Sequence, residues 1–282
     1  MKILHTSEVD ADEVRRLANP PHLSFEHLDW VPSRERLFAN ATFAFQQDGE
    51  LTALICVSPE TENFAWLRFF YSLRDGQHSR YFHDLLAHST SWLRQEGIRN
   101  LYSLGGTPWL ETLLNNNSFV PESQLVNFSR DAEHLPAITT SDDWYIREMT
   151  HADLHEVLKI DQLCFDEPWQ LNRESLYRCY YASARSSLLV RSGEVAAYQV
   201  STRMFDQVHL ARIAVLPEYR GLGFARALIS DVFNHFKDTS EITFSVNTQI
   251  ENKSSIMLYQ QNGFKLEELK IPVYVLPIPM SS

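Results

Sequence analysis

Val215-Leu216-Pro217-Glu218-Tyr219-Arg220-Gly221-Leu222-Gly223-Phe224-Ala225-Arg226-Ala227-Leu228 is the stretch on which the fold turns. It closes an apolar run, 208–215, that reads as a strand. Gly221 and Gly223 make a turn, and from Ala225 the apolar residues Leu228, Ile229, Val232, Phe233 and Phe236 recur at the 3.6-residue spacing of a helix buried on one face. A strand, a glycine-rich turn and a helix in that order aim backbone N–H groups and the positive end of a helix dipole at one point. That arrangement suits a phosphate. Glycine at 221 and 223 is expected to let the main chain approach an anion where a Cβ would intrude. Taken alone, such a turn also serves simply to join a strand to a helix.

Outward from this segment the same reading gives helices at 151–164, near 171–182, at 223–237 and at 252–261. Strands are expected at 187–191, 195–204, 208–215, 241–246 and near 273–276. Thr150-His151-Ala152-Asp153 reads as a helix start, its hydroxyl and carboxylate covering free N–H groups. Strands and helices alternating around one sheet predict an α/β or mixed α+β layer structure.

The chain also repeats itself. Gln47-Asp48-Gly49-Glu50-Leu51-Thr52-Ala53 matches Arg191-Ser192-Gly193-Glu194-Val195-Ala196-Ala197, an offset of 144 (193 less 49). Leu85-Leu86 matches Leu228-Ile229 at 143 (228 less 85), and Asn117-Ser118-Phe119 matches Asn262-Gly263-Phe264 at 145 (264 less 119). Three near-equal offsets in one order predict a tandem duplication. The polar stretch Asp131 to Asp143, which shows no sustained period, is the expected joint, giving domains 1–139 and 140–282.

The Arg220-x-x-Gly223-x-Ala225 pattern, preceded by Val-x-Pro-x-Tyr, resembles motif A of the GNAT superfamily of acetyltransferases. Asn252-Lys-Ser-Ser-Ile-Met-Leu-Tyr259-Gln-Gln-Asn-Gly263-Phe264 is similar to a second segment of that family, and the likeness covers roughly residues 144–276. It implies two tandem GNAT-like acyl-CoA N-acyltransferase domains, the first degenerate, and transfer of an acetyl group from acetyl-CoA to a primary amine by direct attack. By resemblance, Leu222, Gly223, Phe224 and Ala225 hold the pyrophosphate with their amides. Ile213, Ala214, Val215, Arg220, Gly221, Asn252 and Tyr259 complete the cofactor set, Asn252 helping to place the pantetheine. His209 stands where family members carry the group that accepts the amine's proton, and Tyr259 where they place a tyrosine beside the sulfur.

Cys164-Phe165-Asp166-Glu167-Pro168-Trp169 looks like the acceptor-side loop of ribosomal-protein N-terminal acetyltransferases. The Glu those enzymes carry five residues before the motif's Asn is here Asn247. A duplicated chain with a decayed first half also resembles mycothiol synthases in architecture. In the first half, Gln77, Arg80 and Phe82 stand at the three motif positions. His78 and Arg80 replace the two glycines, and Leu114 replaces Tyr259. An amide cradle is not expected there.

Each candidate also has a plainer reading. Tyr259 is otherwise a core tyrosine, His209 a half-buried strand histidine, and Arg212 either a contact for an acidic substrate group or a surface salt bridge. His151 and His155, spaced i, i+4, suggest a metal pair, but Ala152 stands where a zinc protease has Glu, so a solvated helix start is preferred and no metal is expected. Trp66 and Phe69 to Tyr71, with Arg68 the single basic residue among them, read as core strand rather than a base-stacking platform. Cys56, Cys164 and Cys179 read as buried fillers in a reducing cytoplasm.

The 282 residues, 44% apolar and 22% charged, suit two globular domains. A net charge of −11 argues against nucleic acid as a partner, and no apolar run is long enough for a membrane span or a signal peptide, so a cytoplasmic enzyme is expected. The alternative from another class is a non-catalytic acyl-CoA-binding or regulatory protein with a partner-docking N-terminal domain. The amine acceptor and the oligomeric state are not given by the residues.

Overall fold

The structure, a computed structural model, describes residues 1–19, 23–27, 30–132, 142–239 and 242–279. In chain order the elements are β1 (Lys2–His5), α1 (Ala11–Leu17), β2 (Leu23–Glu26), α2 (Ser33–Arg36), β3 (Thr42–Gln47), β4 (Glu50–Pro59), β5 (Phe64–Ser72), α3 (His78–Gln95), β6 (Asn100–Leu104), α4 (Pro108–Asn116) and β7 (Val120–Asp131). The second run is β8 (Trp144–Glu148), α5 (Leu154–Cys164), α6 (Arg173–Tyr181), β9 (Arg185–Arg191), β10 (Glu194–Met204), β11 (Gln207–Val215), α7 (Phe224–Phe236), β12 (Thr243–Gln249), α8 (Lys253–Gln261) and β13 (Lys265–Pro277).

Two compact units form: Met1–Ser123 together with Ile271–Ser282, and Gln124–Lys270. They differ from the expected division into 1–139 and 140–282. Most of the expected joint, residues 133–141 with the 139/140 boundary, lies outside the described residues. The departure comes from strand pairing. β7 pairs antiparallel with β12, Leu125 opposite Gln249 through Asp131 opposite Thr243, which draws 124–131 into the second unit. Val273–Pro277 of β13 pairs antiparallel with Leu104–Asn100 of β6, which draws the C-terminal segment into the first. The last strand therefore begins well before the expected 273–276, at Lys265.

Within the first unit, β1, β3, β4 and β5 are antiparallel neighbours and β6 joins β5 in parallel. Within the second, β8, β9, β10 and β11 follow the same order and β12 joins β11 in parallel. The likeness extends to irregularities. One residue is skipped in the β3–β4 ladder at Thr52 and in the β9–β10 ladder at Ala196, 144 apart (196 less 52). One is skipped in the β4–β5 ladder at Arg68 and in the β10–β11 ladder at Ala211, 143 apart (211 less 68). A bulge re-aims every side chain beyond it, so its position is a specific feature of a strand pair. Two bulges at the repeat offset make the two units copies of one fold.

Each unit buries a helix stripe against its sheet. In α3 the buried residues are Tyr81, Phe82, Leu85, Leu86, Ser89 and Leu93. In α7 they include Phe224, Ala227, Leu228, Val232, Phe233 and Phe236, the stripe expected from the 3.6 spacing. The aromatic run of β5 is core, as expected: every residue from Phe64 to Ser72 is buried, Arg68 among them. The helix start at Thr150 is a capping box, the Asp153 carboxylate accepting from the Thr150 N–H and hydroxyl at 2.8 Å each. Among the described residues no helix is long and apolar enough to cross a membrane.

Candidate active site

β11 and β12 begin side by side and then part. Their parallel ladder runs from Gln207 opposite Thr243 to Leu210 opposite Val246 and stops there. β11 continues to Val215, held on its other edge by β10, and β12 continues to Gln249, held on its other edge by β7. Beyond Leu210 a wedge opens between them, and along it the β11 edge from Ala211 to Val215 pairs with no strand among the described residues. Backbone N–H and C=O groups on such an edge are available to an extended ligand.

The chain leaves this edge straight into the glycine turn. Pro217–Tyr219 forms one short turn of 3₁₀ helix, and Gly223, at φ +83°, precedes α7 without any side-chain cap. The first hydrogen bond into the helix is Ala227 N–H to Gly223 C=O, 3.0 Å, so the N–H groups of Phe224, Ala225 and Arg226 point out of the helix start. Gly221 takes φ +79°. A Cβ built on either glycine meets nothing within 4 Å, so protein crowding is not what requires glycine at these positions; the left-handed backbone is. Leu222 is exposed and can contribute only its amide and an open side chain. Phe224 is buried, its ring packed near Trp144 and Tyr219, and faces the core. Arg220 folds back to donate from Nε to the Val215 carbonyl at 3.3 Å.

Ile213 and Val215 pack toward α7 beside Phe224 and Leu228, and Ala214 is buried. Asn252 caps α8, its Oδ1 accepting from Ser255 N–H at 3.2 Å and from the Ser254 hydroxyl at 2.9 Å. His209, half-buried, shares a hydrogen bond between Nδ1 and the Ser245 hydroxyl, 2.9 Å, across the last rungs of the β11–β12 ladder. Burial holds its pKa below the ordinary 6.5, so the ring is neutral at pH 7. Tyr259 is 3% exposed, packed with Phe128 and Phe264 at ring separations of 5.9 and 6.0 Å. Burial pushes its phenol up to about 12, while a hydrogen bond with Ser255 works the other way.

Two expectations need correcting. Arg212 makes no surface salt bridge. It is buried against Asp161, which has no exposed surface at all. Burial of Arg212 follows from the bulge at Ala211, which puts residues 209 and 212 on one face of the strand instead of opposite ones. Cys56 and Cys179 are buried as expected, but Cys164 is only half-buried and donates from Sγ to the Val215 carbonyl at 3.4 Å. Sequence reasoning missed Asp161 and Tyr198, because a carboxylate three residues before a helix end and a tyrosine in an apolar strand carry no spacing signal.

The first unit fills the equivalent places with its own residues. β5 and β6 also part early, their ladder running only from Phe64 opposite Asn100 to Trp66 opposite Tyr102. Here β2 takes the edge that is left, Leu23 to Glu26 pairing with Ser72 to Phe69, and His27 N–H donates to Arg68 C=O at 2.8 Å. At the start of α3 the Asp75 carboxylate accepts from Gln77 N–H at 2.9 Å and from the Tyr81 hydroxyl at 2.7 Å, so an internal anion already sits there. Arg80 carries an ordinary side chain at 51% exposure beside Asp84. Leu114, in the place of Tyr259, is fully buried.

Comparison with known proteins agrees with this division. The sequence model described as Acetyltransferase (GNAT) family matches residues 154–264. The [ribosomal protein bS18]-alanine N-acetyltransferase of Escherichia coli (strain K12) is 29% identical over 76 residues, 27% of this chain and 51% of that protein. The chain thus spans about half the length of the curated relatives it matches first. A GCN5-related N-acetyltransferase from Sphaerobacter thermophilus superposes with a TM-score of 0.62 at 13% identity, covering 93% of this chain and 98% of that one. A tandem GNAT protein from the clavulanic acid biosynthesis pathway gives 0.59 at 12%, covering 86% and 85%. At such identities the structural likeness shows the fold alone. Residues 154–264 are a GNAT acetyltransferase domain, in a chain whose two units repeat the GNAT fold.

Proposed function

We propose that the second unit transfers an acetyl group from acetyl-CoA to a primary amine by direct attack, and that the first unit binds no cofactor. The observation that carries this is the open β11 edge, residues 211–215, leading into the uncapped start of α7. An extended pantetheine fits the edge, and a pyrophosphate fits the turn at 222–225 with the outward N–H groups of Phe224, Ala225 and Arg226. The Asn252 amide nitrogen, not used in capping, is assigned by family resemblance to the pantetheine.

In this scheme the amine nitrogen forms a bond to the thioester carbon, the carbon–sulfur bond breaks, and a backbone N–H on the β11 edge polarises the carbonyl. His209, kept neutral by burial, accepts the amine's proton on Nε2, since Nδ1 is engaged by Ser245. Tyr259, kept protonated by burial, supplies a proton to the departing thiolate. The amine must be neutral to attack. An α-amino group near pKa 8 meets that more readily than a lysine near about 10.4, so α-amines are the class to try first. The relative that acts on the alanine of ribosomal protein bS18 points to the same class.

Coenzyme A thiol release measured over peptide N-termini and small amines tests the proposal. Turnover on at least one class is expected. Tight acetyl-CoA binding with no turnover on any class would favour the acyl-CoA-binding reading instead.

A further inference from the structure

The face of β11 that carries His209 also carries a buried polar network for which the transfer chemistry has no use. Val208 and Leu210 belong to the same buried cluster as Ile229, Val232 and Phe233 of α7, and Ile213 and Val215 pack beside Phe224 and Leu228. With Ala211 bulged between them, His209 and Arg212 both face away from α7, toward α5. Asp161 of α5 lies under that face. Its Oδ1 accepts from Leu171 N–H at 2.8 Å, and its Oδ2 accepts from the Tyr198 hydroxyl and from Arg212, with Nε at 3.1 Å. Arg212 also donates from Nη2 to the Trp169 carbonyl at 2.9 Å, and its guanidinium stands 3.8 Å above the Phe165 ring.

Phe165, Trp169 and Leu171 are thereby held by one carboxylate and one guanidinium. All three lie in the segment between α5 and α6. Its neighbour Cys164 reaches the Val215 carbonyl, so this segment lies against β11 along the stretch where the wedge is open. Burying an ion pair carries a desolvation cost that apolar packing of the same volume avoids, and such replacement is often neutral or stabilising. A planar guanidinium forked between a carboxylate and a loop carbonyl fixes geometry in a way that apolar packing does not.

We infer that Asp161, Arg212 and Tyr198 are positioning residues that hold segment 165–171 as the wall against which the amine acceptor docks. The inference rests on the transferase reading, because it takes His209 as the mark of the acceptor's side. The network works through side chains on the α5 face of β11, whereas the cofactor edge offers the backbone of 211–215 and the α7 start, so it sets acceptor affinity and leaves cofactor affinity alone.

Tyr198→Phe removes one hydroxyl and keeps the ring in the core, and Arg212→Lys keeps the charge but loses the fork. Both are tested in the full chain with acetyl-CoA and the best amine of the panel. Tyr198→Phe is expected to raise acceptor KM about 3- to 10-fold, the equivalent of one ordinary hydrogen bond, with acetyl-CoA Kd unchanged. Arg212→Lys raises it further. An unchanged acceptor KM in Tyr198→Phe, with only the melting temperature lowered, overturns the inference and leaves the network a stability feature. Should Arg212→Lys fail to fold, Tyr198→Phe decides alone. A parent inactive on every amine overturns the transferase reading instead. Amide exchange then separates the two: faster exchange confined to 165–171 in Tyr198→Phe upholds the tether, and unchanged exchange overturns it.

Discussion

The two units share strand order and both bulge positions, yet one leaves a sheet edge and a helix start open where the other has closed them from within. In the second unit, β11 past Leu210 has a bare edge and α7 has no cap. In the first, β2 lies along β5 and the Asp75 carboxylate occupies the start of α3. An extended strand and an internal anion are chemical stand-ins for a pantetheine and a phosphate. On the proposed function, the comparison teaches that a duplicated site can be retired by supplying the protein's own version of each ligand part, with the surrounding fold left intact.

The largest expected effect concerns how each unit is completed. Residues 271–282 finish the first unit. Tyr274 and Ile278 sit in its core, Ile278 N–H donates to Arg99 C=O at 2.7 Å, and Pro272 C=O accepts from Gly105 N–H at 2.7 Å. Ending the chain at Lys270 deletes four buried side chains, those of Val273, Tyr274, Val275 and Ile278, and uncovers the β6 edge. Losing the aromatic alone is expected to cost about 3–5 kcal/mol. Limited proteolysis should then cut the first unit well before the second. Equal loss of both units, or of neither, would break the assignment of this segment.

Cofactor binding comes next in size. Acetyl-CoA should bind once per chain by calorimetry. Gly223→Val puts a β-branched side chain at φ +83° and should weaken binding about 10- to 100-fold. Arg80→Ala, at the matching place in the first unit, should leave it unchanged. A stoichiometry of two would mean that β2 gives way to the ligand, and the contrast between the units would be lost.

The third effect is on turnover alone. Tyr259→Phe keeps a ring that packs with Phe128 and Phe264, so folding and acetyl-CoA affinity should survive. General acid catalysis is typically worth about 10²- to 10⁴-fold, but a thiolate is a tolerable leaving group, so a kcat loss of about 10-fold or more is expected. Unchanged turnover makes Tyr259 a packing residue like Leu114 of the first unit. Loss of cofactor binding instead makes it part of the pocket wall.

How much of this was legible in the sequence follows from which features are local. The α7 stripe, the glycine turn and the Thr150 capping box are written within a few residues of one another, and all three stand as read. The repeat was legible because Gly49 and Gly193 serve the same turn, each with φ near +90°. Exchange of the strand 124–131 for the segment 271–282 was not, because a strand's apolar pattern fixes its faces and leaves its neighbour unstated. Nor was β2 legible as the occupant of the β5 edge: Leu23 to Glu26 is four residues long and pairs with a strand some 45 residues away in sequence (71 less 26). Asp161 and Arg212 are 51 residues apart, and each taken alone reads as an ordinary surface charge.

The smallest effect sharpens the comparison most, because it reports on the interior of each unit separately. Burial, and then the Arg68 and Arg36 charges, hold His27 of the first unit well below 6.5. Burial alone lowers His209 of the second. In the unfolded chain both would titrate near the ordinary value of about 6.5. As the pH falls through that value the unfolded chain takes up protons that the folded units resist. Stability is therefore fully present above it and declines below it. His27→Gln should flatten the acid-side decline of the first unit's melting temperature, and His209→Gln that of the second. In the proposed transfer the neutral His209 is the competent base, so kcat/KM should carry, below the limb set by the amine's own protonation near about pH 8, a further acid limb with a midpoint below 6.5, and His209→Gln should remove that further limb. Ring-proton NMR measures each histidine directly. If His27 titrates at the ordinary value, water reaches the β2–β5 seam and the first unit is not closed as its pairing implies. If His209 does so, the second unit's wedge is wetter than its burial implies, and the base assigned there would be about one-quarter protonated at pH 7.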